Sequence, residues 1–180
     1  MTRLMQFEKT VLPHLDAAYN LARWLTRNEH DAEDVVQEAF ARAFKYFDSL
    51  EESDARPWLL AIVRNTGYTW LEKNRPADVV ALEDSGLVGA DSEIVGHVAP
   101  EESNPEVIVL QRAQRKLVNQ ALEELPTAFR EVLVMRELED LSYKEIAQVA
   151  GIPIGTVMSR LARGRDLLKR IIDRRLRKAS

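Results

Sequence analysis

Residues 141–170, LSYKEIAQVAGIPIGTVMSRLARGRDLLKR, leave this chain few ways to fold. Ser142, followed three residues later by Glu145, has the spacing of a capping box, in which a hydroxyl and a carboxylate satisfy backbone N–H groups at a helix start. Ile146, Ala147 and Ala150 give that helix a short apolar face. Gly151 stands where the chain must turn sharply, and Pro153 suits the entry to a second helix, where its missing N–H is no loss. In the second helix Val157, Leu161 and Leu168 recur at helical spacing and should point inward. Thr156, Ser159, Arg160 and Arg163 share the other side. A short helix, a tight turn and a longer helix with a polar, basic outer face is the pattern of a helix-turn-helix.

Small and hydroxyl side chains on that outer face allow close approach to a groove, and arginines can fork onto phosphates or guanine edges. From residue 142 to the end there are ten Lys/Arg against three Asp/Glu, in a chain whose formal net charge is -4. A local basic surplus in an acidic protein suits a polyanionic partner. The plainer alternative is a solvated helical hairpin whose basic residues complement the helix C-terminus. It leaves the agreement between turn chemistry and one-sided charge unexplained.

Charge also divides the rest of the chain. Residues 77–106 hold eight acidic residues and no Lys or Arg, interspersed with Gly86, Gly89, Gly96, Pro100 and Pro105. This stretch reads as an acidic flexible linker, since a structureless loop of that length inside one domain is uncommon. The chain therefore divides into 1–76, the linker 77–106, and 107–180. Few segments alternate with period two, so the expected fold class is all-α, two small helical domains with the helix-turn-helix in the second. Cysteine is absent, which excludes disulfides, thiolate metal sites and a cysteine nucleophile. No apolar run approaches the roughly eighteen residues of a membrane span, and the N-terminus lacks a signal-peptide core. A soluble, cytoplasmic protein is the expectation.

In 1–76, Phe7, Val11, Leu12, Leu15, Tyr19, Ala22 and Leu25 predict one amphipathic helix ending near Arg27. Residues 28–30 read as a break, with Asp31 as the next N-cap and Asp34 near the positive end of the helix. Ala32, Val35, Val36, Ala39, Phe40, Ala43, Phe44 and Phe47 form its apolar side. A third helix from about 55 to 73 has Trp58, Leu59, Ile62, Val63, Thr66 and Leu71 as inward candidates. Two surfaces stand out. The first is DAEDVVQEAF (31–40), where Asp31, Glu33, Asp34, Gln37 and Glu38 make a polar, mostly acidic face suited to a protein partner. A carboxylate metal site is disfavoured there, because the facing Glu-x-x-His pairs and the HExxH spacing are both missing. The second is RPWLLAIVRNTGYTWLEKNR (56–75), which sets Arg64, Asn65, Tyr68, Trp70, Lys73 and Arg75 along one helix. Aromatics beside cations make a stacking platform for unpaired bases, with a core role for the aromatics as the alternative.

In 107–180, Val107, Ile108, Leu110, Ala113, Leu117, Ala121, Leu122 and Leu125 predict a buried helix face that ends before Pro126. Phe129, Val132, Leu133, Met135 and Leu138 are further core candidates. The basic end, 174–178, is expected to fray.

Taken together, these segments closely resemble a bacterial RNA polymerase sigma factor of the sigma-70 family, in its extracytoplasmic-function (ECF) group. DAEDVVQEAF resembles the core-polymerase-binding helix, and the 56–75 segment resembles the one that melts and reads the -10 promoter element. Residues 121–170, with LPTAFREVL and GTVMSRLARGR, resemble the -35-reading domain. The resemblance implies that Asp31, Glu33, Asp34, Gln37 and Glu38 contact the beta-prime clamp coiled coil, with the beta flap as a further polymerase contact. It implies -10 DNA contact by Arg64, Asn65, Tyr68, Trp70, Lys73 and Arg75, and capture of a flipped base by the loop 47–54. It implies -35 contact by Thr156, Ser159, Arg160 and Arg163, with Arg165 and Lys169 on phosphate and Arg130 and Lys144 as weaker phosphate candidates. The implied partners are core RNA polymerase, promoter DNA and an anti-sigma factor, with no catalytic residues, no cofactor, no metal and no direct membrane insertion. Membrane association would come only through the anti-sigma factor. The chain departs from the family pattern in LEKNRP (71–76), where many relatives have a dense arginine cluster. It departs again at Met158 and Ala162, where relatives often carry arginine and a larger side chain. The alternatives are a stand-alone helix-turn-helix transcriptional regulator, a carboxylate metalloenzyme, and a mimic that keeps the polymerase-like surface without initiating transcription.

Overall fold

The computed structural model describes residues 1–50, 54–80 and 104–180, and all their regular structure is helical. Most of the expected linker, 81–103, and residues 51–53 of the base-capture loop lie outside the described residues. Two helical regions precede and follow that linker. Among the described residues no helix is long and apolar enough to cross a membrane.

The first region contains α1 (Arg3–Val11), α2 (Leu15–Thr26), α3 (Glu29–Lys45) and α4 (Ala55–Asn74). The single helix expected up to Arg27 is divided by a 3-10 turn at Leu12–His14. Pro13 causes the division, because it lacks an N–H and its ring crowds the preceding turn. The extra rotation leaves Leu12 and Leu15 exposed, contrary to expectation, while Phe7 and Val11 stay buried. The start of α3 also differs. Arg27 adopts the left-handed conformation at φ 58°, and Asn28 is the N-cap, accepting a hydrogen bond from the Asp31 N–H at 3.0 Å. Asp31 is thus a residue of the first turn rather than the cap. The left-handed residue reverses the chain so quickly that α3 has begun before Asp31 is reached.

α2, α3 and α4 pack around Leu21, Leu25, Val35, Ala39, Leu59, Leu60 and Val63. Leu60 is fully buried, whereas Trp58 and Ile62 lie at the margin of the core. Gly67 sits where α4 comes closest to α2. A Cβ there would fall 2.9 Å from Leu25 Cδ1. The glycine that lowers helix propensity therefore permits a close helix contact. The Phe7 ring meets Phe40, Phe44 and Phe47 edge-on, with centroids 6.4, 5.2 and 5.4 Å away. That geometry suits aromatic quadrupoles and fastens α1 to the end of α3.

A short helix, α5 (Ala77–Val80), precedes the undescribed linker. The second region contains α6 (Pro105–Glu124), α7 (Thr127–Leu133) continued by a π-turn through Leu138, α8 (Tyr143–Ala150) and α9 (Ile154–Ala179). The capping box is present: Ser142 accepts from the Glu145 N–H at 3.1 Å, and Glu145 accepts from the Ser142 N–H at 3.0 Å. Gly151 ends α8 at φ 64°, a conformation in which other residues are strained. Val157, Leu161 and Leu168 turn inward as their spacing predicts.

Three expectations fail in this region. The apolar face of α6 is buried only at its C-terminal end, at Ala121, Leu122 and the following Leu125. Val107, Ile108, Leu110 and Ala113 are exposed. α9 ties to the last turns of α6, so the N-terminal turns project past it. Leu138 is exposed, because the π-turn adds a residue per turn and rotates it off the buried face. The C-terminus does not fray. α9 runs to Ala179, and Arg174 and Arg175 both pair with Glu124.

The two regions pack on each other, α2 against α7, α4 against α8 and α5 against α7. One apolar cluster runs through both.

Candidate nucleic-acid interface

α9 presents the outer face expected of it. Its N-terminal half begins at the turn made by Gly151 and Pro153, and its buried stripe fixes which side looks out. Ser159 and Lys169 are exposed, and Thr156, Arg160 and Arg163 are half-buried. Ser159 Oγ donates to the Thr156 carbonyl at 3.1 Å. Arg160 and Arg163 make no ion pair among the described residues. Ile154 and Met158, one turn apart, add exposed apolar surface to the same helix. Arg165 differs from these. Its Nη2 donates to Glu137 Oε1 at 2.9 Å, which brackets α9 to the π-turn. Burial alone would lower its pKa, but the Glu137 hydrogen bond and charge outweigh burial and raise it.

Arg130 cannot serve as a phosphate contact in this arrangement. It is 2% exposed and donates to the carbonyls of Leu122, Leu125 and Trp24 at 3.1, 2.7 and 2.7 Å. Two of these acceptors lie at the C-terminal end of α6 and one is near the end of α2. A buried guanidinium thus ties together carbonyls at two helix ends. Burial, with the nearby Arg27 charge, lowers its pKa to about 10, which still leaves it protonated at neutral pH. Lys144 remains exposed at the start of α8.

The six residues expected at the -10 element divide three ways. Asn65 and Lys73 are exposed on α4. Trp70 and Arg75 pack together: the guanidinium lies 5.3 Å from the ring centroid, donates to the Thr26 carbonyl at 2.6 Å, and approaches Asp31 to 3.7 Å. Arg64 and Tyr68 are engaged by the second region. Arg64 grips Glu131 with both arms, Nε to Oε2 at 2.8 Å and Nη2 to Oε1 at 3.0 Å, and the Tyr68 hydroxyl donates to Oε1 at 2.9 Å. The Arg64 guanidinium also lies 4.2 Å from the Tyr68 ring centroid. The Glu131 side chain has no solvent exposure and that of Arg64 has 16%. Burial and then the Glu131 charge push the Tyr68 hydroxyl pKa far up, so it remains a donor. For Arg64 burial works downward, but the bonds and charge of Glu131 leave the net shift upward.

A second pairing lies nearby. Arg56 donates to the backbone carbonyl and the carboxylate of Glu139, and Asn20 Nδ2 donates to Glu139 Oε1 at 2.8 Å. Around α5, Arg27 binds Asp78 at 2.6 Å and the Glu123 carbonyl at 3.0 Å, and Thr127 Oγ1 donates to the Asp78 carbonyl. Sequence reading missed Glu131, Glu139 and Arg56. Their partners lie 67 and 83 positions away, beyond any local periodicity.

On α3, Glu33, Asp34, Gln37 and Glu38 form one exposed acidic face. Glu38 pairs with Arg42 one turn on, and Asp31 lies half-buried at the edge toward Arg75.

The structure thus sets a helix pair with a basic outer face beside a second helical region that carries cations, aromatics and a separate acidic face. Sigma-70 region 2 matches residues 10–76, and Sigma-70, region 4 matches residues 115–168. The chain is 38% identical over 143 residues to the ECF RNA polymerase sigma-E factor of Escherichia coli, covering 77% of this chain and 72% of that one. It is 34% identical over 163 residues to the ECF RNA polymerase sigma factor SigE of Mycolicibacterium smegmatis, covering 91% of this chain and 60% of the relative's length. Among solved structures it is similar to the sigma factor RpoE of Bartonella quintana in complex with the anti-sigma factor NepR, with a TM-score of 0.67, 27% identity, and coverage of 93% and 97%. It is also similar to CnrH in complex with the cytosolic domain of CnrY, with a TM-score of 0.64, 25% identity, and coverage of 93% and 87%. The chain belongs to the sigma-70 family of RNA polymerase sigma factors, in its ECF group. Proteins of that group direct RNA polymerase to promoters and are not enzymes.

Proposed function

We propose that this chain anchors core RNA polymerase to a promoter at two separated elements and supplies specificity without chemistry of its own. The observation that carries the reading is the open outer face of α9, with Ser159, Arg160 and Arg163 clear of other side-chain partners among the described residues. α8 and α9 act as a helix-turn-helix that reads the -35 duplex. Thr156, Ser159, Arg160 and Arg163 face base edges, Lys169 meets phosphate, and Arg165 holds α9 in place while its guanidinium stays near the backbone.

α4 carries the -10 function through Arg64, Asn65, Tyr68, Trp70, Lys73 and Arg75. Unstacking a base step costs a few kcal/mol. Stacking on an aromatic returns about 1–3 kcal/mol per base, and cationic contacts add to it. These magnitudes are comparable, so capture of one or two bases is enough to hold an opened strand. The acidic face of α3, centred on Glu33, Asp34, Gln37 and Glu38, docks on the beta-prime clamp coiled coil. One large partner engaging both regions raises the effective concentration of each DNA site. An anti-sigma factor that covers these surfaces fits the complex of the Bartonella quintana relative with the anti-sigma factor NepR. A cytoplasmic location follows from the partners.

Transcription in vitro with core polymerase and a randomised promoter library tests the reading. A defined pair of -10 and -35 sequences among the initiated templates is the expected result. RNA starts indistinguishable from those of core enzyme alone would overturn it.

A further inference from the structure

We propose that Ile154 and Met158 are specificity residues: in the -35 duplex they close on the C5-methyl groups of two thymines, and so select bases that the arginines of α9 leave unread. The assignment rests on reading α9 as the -35 helix.

The buried stripe of Val157, Leu161, Gly164 and Leu168 fixes the sides of α9. Thr156 and Arg160 fall on one flank of its outer face, Ile154 and Met158 on the other, with Ser159 between them. The helix thus has a polar edge and an apolar edge. Ile154 is 46% exposed and Met158 54%. One exposed apolar residue is ordinary on a protein surface. Here two stand one turn apart in the first two turns of the helix, the part that reaches base edges in a helix-turn-helix.

Neither belongs to the core among the described residues. Ile152, just before the helix, packs against the core and anchors the entry, as Leu167 and Ile172 anchor later turns. Gly155 and Ala162 flank the apolar edge. A Cβ on Gly155 would meet nothing within 4 Å, and its backbone is not left-handed, so neither crowding nor a turn calls for glycine there. Small side chains at both positions let a groove floor come close to Met158.

The chemistry of this edge decides its target. In the major groove the bases offer donors, acceptors and, at thymine alone, a methyl group. Isoleucine has no polar side-chain atom, and a thioether is only a weak acceptor. Cytosine or guanine edges pressed against them would lose water without gaining a good hydrogen bond. The thymine methyl gains from the contact, and the unbranched, polarizable Met158 can adapt to it. Four residues of helix rise about 6 Å. That spans roughly two base-pair steps of about 3.4 Å, so the two thymines should lie within about two steps of each other.

A duplex pool randomised across the -35 element and selected with holoenzyme supplies the probe. Each thymine of the selected sequence is then replaced by uracil, which removes only the methyl group. Two positions should each lose about fourfold in competition binding, the scale of one buried methyl group. With Met158→Ala one of them should become indifferent to uracil, and with Ile154→Ala the other. Met158→Leu should keep the preference, and Met158→Arg should move the selected base at its position toward guanine. A selected sequence without thymine, or wild-type binding that ignores uracil at every thymine, would overturn the proposal. So would uracil sensitivity that survives both alanine substitutions. The reading of α9 is judged by the selection itself. A pool with no preferred -35 sequence would remove that reading and the thymine contacts together, whereas a preferred sequence indifferent to uracil would remove the contacts alone.

Discussion

The two surfaces proposed for promoter DNA both carry arginines, and those arginines end in different states. On α9, Arg160 and Arg163 stand on a helix whose opposite side is buried, and no hydrogen bond or ion pair from the first region reaches them among the described residues. On α4, Arg64 is bound at both arms by Glu131 and Arg56 by Glu139. An arginine on a helix surface is thus a statement about potential partners. Whether it is available is a property of what packs against the helix. Arg130 makes the point most sharply, since it lies in the motif that resembles a DNA-reading domain yet is among the most buried large side chains.

The largest effect that would break this contrast comes from Arg130→Ala. It frees the carbonyls of Leu122, Leu125 and Trp24 at once and should cost about 3 kcal/mol of stability, the scale for opening a buried charged network. Urea unfolding measures it. A loss no greater than that of Lys144→Ala would show Arg130 to be a surface residue in solution.

Arg163→Ala tests the open surface. Its loss should remove about 2 kcal/mol of discrimination at one -35 position while leaving the fold intact. Competition among -35 variants reads it, and equal binding across the variants would remove Arg163 from the groove. Asp34→Arg tests the acidic face of α3, which neither DNA surface shares. Association with core polymerase should weaken about tenfold in a pull-down titration, with unchanged circular dichroism. Equal affinity would place the polymerase contact elsewhere.

The smallest effect sharpens the comparison at the level of local structure. Ser142→Ala removes one half of the capping box and should cost about 1 kcal/mol. Because α8 packs on α4, part of that loss should reappear as weaker closure of the two regions. Thermal unfolding of the second region alone and of the full chain separates the two contributions, and identical shifts would mean that α8 is capped independently of the contact.

What the sequence determined by itself is local. The capping box, the left-handed Gly151 and the inward stripe of Val157, Leu161 and Leu168 each depend on residues within a turn or two of one another. Composition and periodicity therefore sufficed for an all-helical chain with a turn at 151–153. The N-cap was missed at Asn28 because a left-handed Arg27, which nothing in its residue type announces, moved the helix start. The apolar face of α6 was overestimated because periodicity marks which residues share a side without saying how far a neighbouring helix extends along it.

Only the tertiary structure decided which charges face each other. Glu131 lies 67 positions from Arg64, and Glu139 lies 83 from Arg56. Coulomb attraction between such groups depends on the path of the chain between them, and burial multiplies it by removing water. No spacing rule can express that. The identity of the helices is written in neighbouring residues, and the state of the DNA-facing surface is written in the distance between two regions.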